Sequence, residues 1–222
     1  TDFERRFAQL VGPGEAVSYA AARMGFYELM RVQGISKGDE VILLGATCAV
    51  MVNAVMRAGA TPVFADIDPD TFGSSSHAIA ACITPQTRMI VAQHSFGIPC
   101  DIISIVEIAK EKNIFILEDC ALTLGSKVNN VAVGNIGDAA LFSTDHSKPL
   151  NTITGGLLYT KNPELANRLR TSQANCPDLS VARQNMLWRR LLLEARYCVP
   201  VRYGRLALID LFSSVRKKLI HC

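Results

Sequence analysis

The sequence lacks paired cysteines, a long apolar run and a leader-like start. Its seven cysteines, at positions 48, 82, 100, 120, 176, 198 and 222, are odd in number and form no C-x-x-C pair. That scatter argues against a disulfide scaffold or a zinc site and predicts a reduced, cytoplasmic protein. No stretch approaches the roughly 20 apolar residues that a membrane-crossing helix needs. No basic-then-apolar signal segment is present either. The first residue is Thr1 rather than Met, as in a processed or trimmed chain. Aromatic residues make up 7% of the chain, with a single tryptophan. No basic surface interleaved with aromatics is legible, which speaks against nucleic-acid binding.

What is present is ordinary globular material. Of 222 residues, 49% are hydrophobic and 19% charged, enough for one large core. The net charge of +3 conceals a division. Residues 168–222 carry 11 Lys/Arg against 3 Asp/Glu, whereas residues 1–167 carry 12 against 17. The first part is mildly acidic and the tail strongly basic.

Short apolar runs alternate with helical patterns. Residues 1–14 end in Gly-Pro-Gly and read as a turn or linker. Ala16 to Gln33 reads as a helix burying Phe26, Leu29, Met30 and Val32. Strands are expected at 41–44, 63–66, 89–92, 115–117, 139–142 and 157–160. Helices are expected at 47–57, 77–82, 103–112 and 163–170. Strand–helix alternation of this kind predicts a three-layer α/β/α domain around a mainly parallel sheet. The domain boundary is expected after residue 170. Beyond it, helical patterns at 180–197 and 203–219, separated by Pro200, form the basic tail. That tail reads as a solvated face whose apolar side packs on another domain or subunit. Attraction of a nucleotide diphosphate, or contact with an anionic membrane surface, is the alternative.

The chemistry concentrates in residues 115–160. One apolar run ends on Glu118 and Asp119, and another on Ser143. Lys148 follows, then Gly155-Gly156 and the run Leu157-Leu158-Tyr159. Polar groups just past the carboxyl ends of buried strands are where open α/β sheets bind ligands. A lysine, a carboxylate and a hydroxyl delivered there suit pyridoxal phosphate (PLP), whose aldehyde needs an amine, whose ring nitrogen needs an anion and whose phosphate needs donors.

The linked motifs E-D-C-A, G-D-A-A-L-F-S, S-K-P-L and G-G-L-L-Y-T resemble the DegT/DnrJ/StrS family of fold type I aminotransferases. The likeness runs from about Ala16 to about Arg170. It implies transfer of an amino group, usually from glutamate, to a keto sugar carried by a nucleotide, in polysaccharide or glycoside assembly. It also implies a homodimer. By that resemblance Lys148 is the catalytic, Schiff-base lysine and Asp119 pairs with the pyridine nitrogen. Ser143 bonds the phosphate, together with the backbone amides of Ala22 and Arg23. Cys48 stands where many relatives stack an aromatic ring, and Leu122 where they carry His or Gln. A smaller C-terminal domain found in relatives is not evident. The rival expectation is therefore a non-catalytic or truncated homologue serving as a dimerisation or interaction module. His94 reads as a structural histidine more readily than a site residue, and Glu118 should face away from Asp119, since neighbouring strand residues alternate. Gly125, Gly134 and Gly137 are expected in turns with positive φ.

Overall fold

The computed structural model describes residues 1–197. A seven-stranded sheet runs in the order β1-β9-β8-β5-β4-β2-β3. The strands are β1 Glu15–Tyr19, β2 Glu40–Leu44, β3 Thr61–Ala65, β4 Thr87–Gln93, β5 Phe115–Asp119, β8 Ala139–Ser143 and β9 Gly156–Thr160, with β6 Lys127–Val128 and β7 Val131–Ala132 forming a small hairpin. Pairing is parallel from β3 through β2, β4 and β5 to β8. Only β9 runs against the rest, antiparallel to both β8 and β1.

The helices are α1 Asp2–Val11, α2 Ala22–Val32, α3 Ala49–Ala58, α4 Ser76–Cys82, α5 Ile102–Lys112, α6 Pro163–Ala174 and α7 Val181–Tyr197. Alternate residues of each central strand point to opposite faces and build separate cores. Val41, Leu43, Met89, Val91, Leu117, Leu141 and Leu158 pack with Phe26, Leu29 and Met30 of α2 and Met51 and Val55 of α3. Ile42, Ile90, Ala92 and Ile116 face Ile102, Ile105 and Ala109 of α5 on the other side. This is the expected three-layer α/β/α arrangement. Residues Thr1–Cys176 form one compact unit and a second begins at Pro177. The boundary expected at 170 falls inside α6, which continues to Ala174.

Two expectations are corrected. Residues 1–14 are not a linker, because Thr1 and Glu4 close a reciprocal capping box over α1, whose Phe7, Ala8 and Val11 are buried. The helix expected from Ala16 begins only at Ala22. Residues 15–19 instead pair residue by residue with β9, Glu15 opposite Thr160 and Tyr19 opposite Gly156. They run straight into three alanines, Ala20, Ala21 and Ala22, which favour helix, and a complete ladder overrides that local bias. The tail pattern at 203–219 lies outside the described residues.

Candidate active site

The site assembles because five strand ends meet at the same end of the sheet. β1, β2, β5 and β8 all finish there, and β9 starts there. On the face packed by α2 and α3, Leu117 and Leu141 are core residues, so Asp119 and Ser143, two positions on, face the same way. Gly156 lies opposite Ser143 in the ladder. A Cβ on Gly156 would come within 2.4 Å of Ala22 N and Cα, so only glycine lets β9 approach the start of α2 this closely.

Asp119 is 5% exposed. Its Oδ1 accepts the Ala121 N–H at 2.9 Å, and Oδ2 has no hydrogen-bond partner among the described residues. Burial pushes its carboxyl pKa up, against the Ala121 bond and the nearby His94 and Lys148, which pull it down. Lys148 is half-buried in the connection between β8 and β9, its backbone N–H donating to Asp145 O at 2.9 Å. Ser143 is half-buried as well, with Oγ 3.5 Å from Asp145 N.

Helix α2 starts at an extended Ala21 that supplies no side-chain cap, so the first-turn amides of Ala22 and Arg23 lack a partner from their own helix. Helix α3 likewise starts at an uncapped Cys48. Cys48 is exposed and Leu122 half-buried. Beside Cys48, Thr47 Oγ1 is buried with no hydrogen-bond partner. Thr47 did not stand out in the sequence, where a single hydroxyl carries no pattern.

A second set of residues missed in the sequence fixes the Lys148 connection. Thr152 Oγ1 donates to the Thr144 hydroxyl at 2.6 Å, and Thr154 Oγ1 to Ala20 O at 2.9 Å, tying the loop to the end of β1. Between them Ile153 has φ 71°, a strained setting for a β-branched residue. T-I-T is a weak signal that only the closed loop explains.

His94 and Glu118 fall on the opposite face and are fully buried. Glu118 accepts from Gly134 N at 2.7 Å, Ile136 N at 2.8 Å and Gly137 N at 2.7 Å, and meets His94 Nε2 at 3.1 Å. His94 Nδ1 accepts the Cys100 N–H at 3.1 Å, so Nε2 carries the proton donated to Glu118. Burial raises the Glu118 pKa, but these donors outweigh it and hold the carboxyl below its ordinary value. Ligand-capable atoms of His94, Glu118 and Cys120 lie within 4.8 Å of one another. With four donors already on Glu118, the cluster is structural. Gly125 and Gly134 have φ near +90° as expected. Gly137 does not; it is glycine because a Cβ would meet Ile116 Cγ2 at 2.8 Å.

A cavity of about 660 Å³ opens elsewhere, lined by Asp39, Arg88, Lys110, Phe115 and Asp138 among others. Asp39 and Asp138 directly precede β2 and β8, Arg88 and Phe115 lie at the start of β4 and β5, and Lys110 lies in the last turn of α5, so the cavity is at the amino end of the sheet, away from Asp119 and Lys148. The open end with its ladder-aligned polar groups is the better candidate site.

The residues present fit PLP. A buried carboxylate offers a free oxygen to a ring N–H, two uncapped amides suit a phosphate, and an amine stands in the adjoining loop. Cys48 and Leu122 bring neither an aromatic ring nor a strong hydrogen-bonding group to their positions.

An open α/β sheet with one reversed strand and ligand groups at its carboxyl edge is the large-domain architecture of PLP-dependent fold type I transferases. Spr1654 from Streptococcus pneumoniae, solved in its PLP form, shares it with a TM-score of 0.71 at 27% identity, covering 76% of this chain and 48% of that one. The chain belongs to the DegT/DnrJ/EryC1/StrS aminotransferase family, whose model matches residues 1–188. GDP-perosamine synthase of Escherichia coli O157:H7 is 38% identical over 166 residues, 75% of this chain and 46% of the relative. The spore coat polysaccharide biosynthesis protein SpsC of Bacillus subtilis is 37% identical over 168 residues, 76% of this chain and 43% of the relative. The chain thus spans less than half the length of these curated relatives.

Proposed function

We propose that this chain carries the cofactor half of a PLP-dependent aminotransferase acting on a nucleotide-linked keto sugar, with an amino acid, glutamate by family resemblance, as donor. The acceptor class is supported by family membership and by relatives such as GDP-perosamine synthase. The same reading makes the working unit a homodimer of a cytoplasmic protein. Among the described residues no helix is long and apolar enough to cross a membrane.

The observation that carries the proposal is the free Oδ2 of buried Asp119 on the face that also presents Ser143, Gly156 and the uncapped start of α2. When bound, PLP supplies an electron sink for the bonds broken in amino transfer. Asp119 Oδ2 would hold a proton on the ring nitrogen. The Ala22 and Arg23 amides and the Ser143 hydroxyl would hold the phosphate. Lys148 would anchor the cofactor through its amine and would serve as the base that takes the proton from the α-carbon of the amino donor.

The test is absorption spectroscopy of the full chain with PLP, followed by borohydride reduction and peptide mapping. A visible band and a label fixed at Lys148, both absent in Lys148→Ala, are expected. A folded chain that takes no label at Lys148 would leave the rival reading, a non-catalytic or truncated homologue acting as a dimerisation or interaction module.

A further inference from the structure

Two phenylalanines at the site end of the sheet occupy backbone conformations that phenylalanine disfavours, and both leave their rings in solvent. Phe96 is 75% exposed and Phe72 51% exposed. Phe96 has φ 52° and Phe72 φ 55°. The rings meet edge to face, with centroids 6.5 Å apart and planes at 77°.

Neither position is slack. Ser95 and Ile98 exchange both backbone hydrogen bonds, Ile98 N to Ser95 O at 2.8 Å and Ser95 N to Ile98 O at 3.2 Å. With φ positive at Phe96 and at Gly97 (84°), this is a two-residue turn of the I′ kind, whose first central position favours Asn, Asp or Gly. Phe72 closes a second self-bonded loop, where Phe72 N donates to Asp68 O at 2.8 Å and Asp68 N to Gly73 O at 2.9 Å. Burial does not explain a phenylalanine at either place, and the strain has no folding rationale. Strain of that sort concentrates at functional positions.

Location narrows the function. The turn follows His94, whose N–H donates to Asp119 O at 3.1 Å. Gly97 N donates to Thr123 Oγ1 at 3.2 Å and Ser126 Oγ to Gly97 O at 2.7 Å, in the segment just after Asp119. The other loop is clamped to the end of β4 by Ser74 N to Gln93 O at 3.1 Å and Gln93 N to Ser74 Oγ at 2.9 Å. Both rings therefore stand on rigid mounts at the rim of the candidate site. Asp66 and Asp70, exposed in the Phe72 loop, disfavour phosphates beside the rings. A planar, uncharged group suits them.

We infer that the Phe72–Phe96 pair is the stacking subsite for the nucleobase of the nucleotide-linked acceptor. This rests on the acceptor class proposed above. Every base has a π-face, and stacking on an aromatic side chain is sequence-tolerant, so the pair grips the nucleotide handle while the sugar is left to the pocket.

The test is titration calorimetry of the full chain with UDP, TDP and GDP, with ribose 5-phosphate as the base-free control. The variant is Phe96→Asn, which removes the ring and suits the turn. Nucleoside diphosphates are expected to bind roughly tenfold more weakly to it, while its melting temperature rises and ribose 5-phosphate binding is unchanged. Equal affinity for the variant and the parent overturns the inference, as does failure of the parent to bind any of the three. A change in oligomeric state with nucleotide affinity unchanged also overturns it, and assigns the rings to an interface between copies. The PLP absorption band, recorded on the same samples, reads out the Lys148 site independently. Its loss with base-dependent binding intact sinks the cofactor reading alone.

Discussion

Glu118 shows how one buried side chain is committed by its donors. A carboxylate has about four lone-pair sites, and here all are used, three by the backbone of the 134–137 turn and one by His94. Glu118→Gln places an amide NH₂ against N–H groups that themselves donate, stranding at least two of them. We expect a loss of about 3–5 kcal/mol, measured as a fall in the urea midpoint at neutral pH. The pH sense follows from the depressed pKa. The group's contribution is complete above the ordinary carboxylate range and disappears as pH falls through the lower folded value. Wild-type stability should therefore drop steeply on acidification below about pH 4.5, and the Gln variant, measured in parallel, should lose that part of the slope. An equal slope in both proteins would show that Glu118 does not contribute it. Alternation along β5 made the opposite facing of Glu118 and Asp119 readable in advance. The four donors were not, because they arrive from His94, just past β4, and from a turn 16 to 19 residues later.

At the scale of elements, the site depends on how closely β9 approaches α2. Gly156 has no room for a methyl group against Ala22 N and Cα, and the obstruction is backbone rather than a movable side chain. Gly156→Ala should push the first turn of α2 away from Ser143. A cost of about 1–3 kcal/mol in stability is expected for such overpacking. PLP affinity, followed by the absorption band, should fall by more than in the exposed control Gly38→Ala, which strains its own turn at φ 97° but whose Cβ meets nothing within 4 Å. Equal cofactor affinity in the two variants would mean that the α2 amides do not hold the phosphate. The sequence displayed G-G before an apolar run but not the reason for it. That reason is a contact between residues 134 positions apart. The misreading of residues 15–19 has the same origin, since a strand completed by a partner so distant in sequence leaves only a local pattern that the alanines following it, 20–22, bias toward helix. The central strands were legible because each is buried on both faces and spells its own apolar run.

At the scale of the whole molecule, the division of charge at residue 168 falls close to the division of structure at Pro177. The unit Thr1–Cys176 contains all nine strands and the three packed cores of the described residues, whereas α7 Val181–Tyr197 buries none of its residues. Everything proposed to hold PLP, from Ala22 to Lys148, lies in the first unit. A chain ending at Cys176 is therefore expected to keep its fold and its cofactor site. Its heat denaturation should remain a single cooperative transition, and its PLP absorption band should match that of the full chain. It would also lose an excess of six positive charges, 9 Lys/Arg against 3 Asp/Glu in 177–222, and move to the acidic side in isoelectric focusing. Comparing UDP binding at low and high salt then separates the roles open to the tail. If the tail draws in the diphosphate, the full chain will bind more tightly at low salt and the advantage will vanish as screening rises. If the tail is only a solvated face, the two chains will show the same salt dependence. We expect the second result, because the rim proposed to meet the base and the amides proposed to meet the cofactor phosphate both belong to the first unit. A salt-sensitive difference between the two chains would show otherwise and make residues 177–222 part of substrate capture.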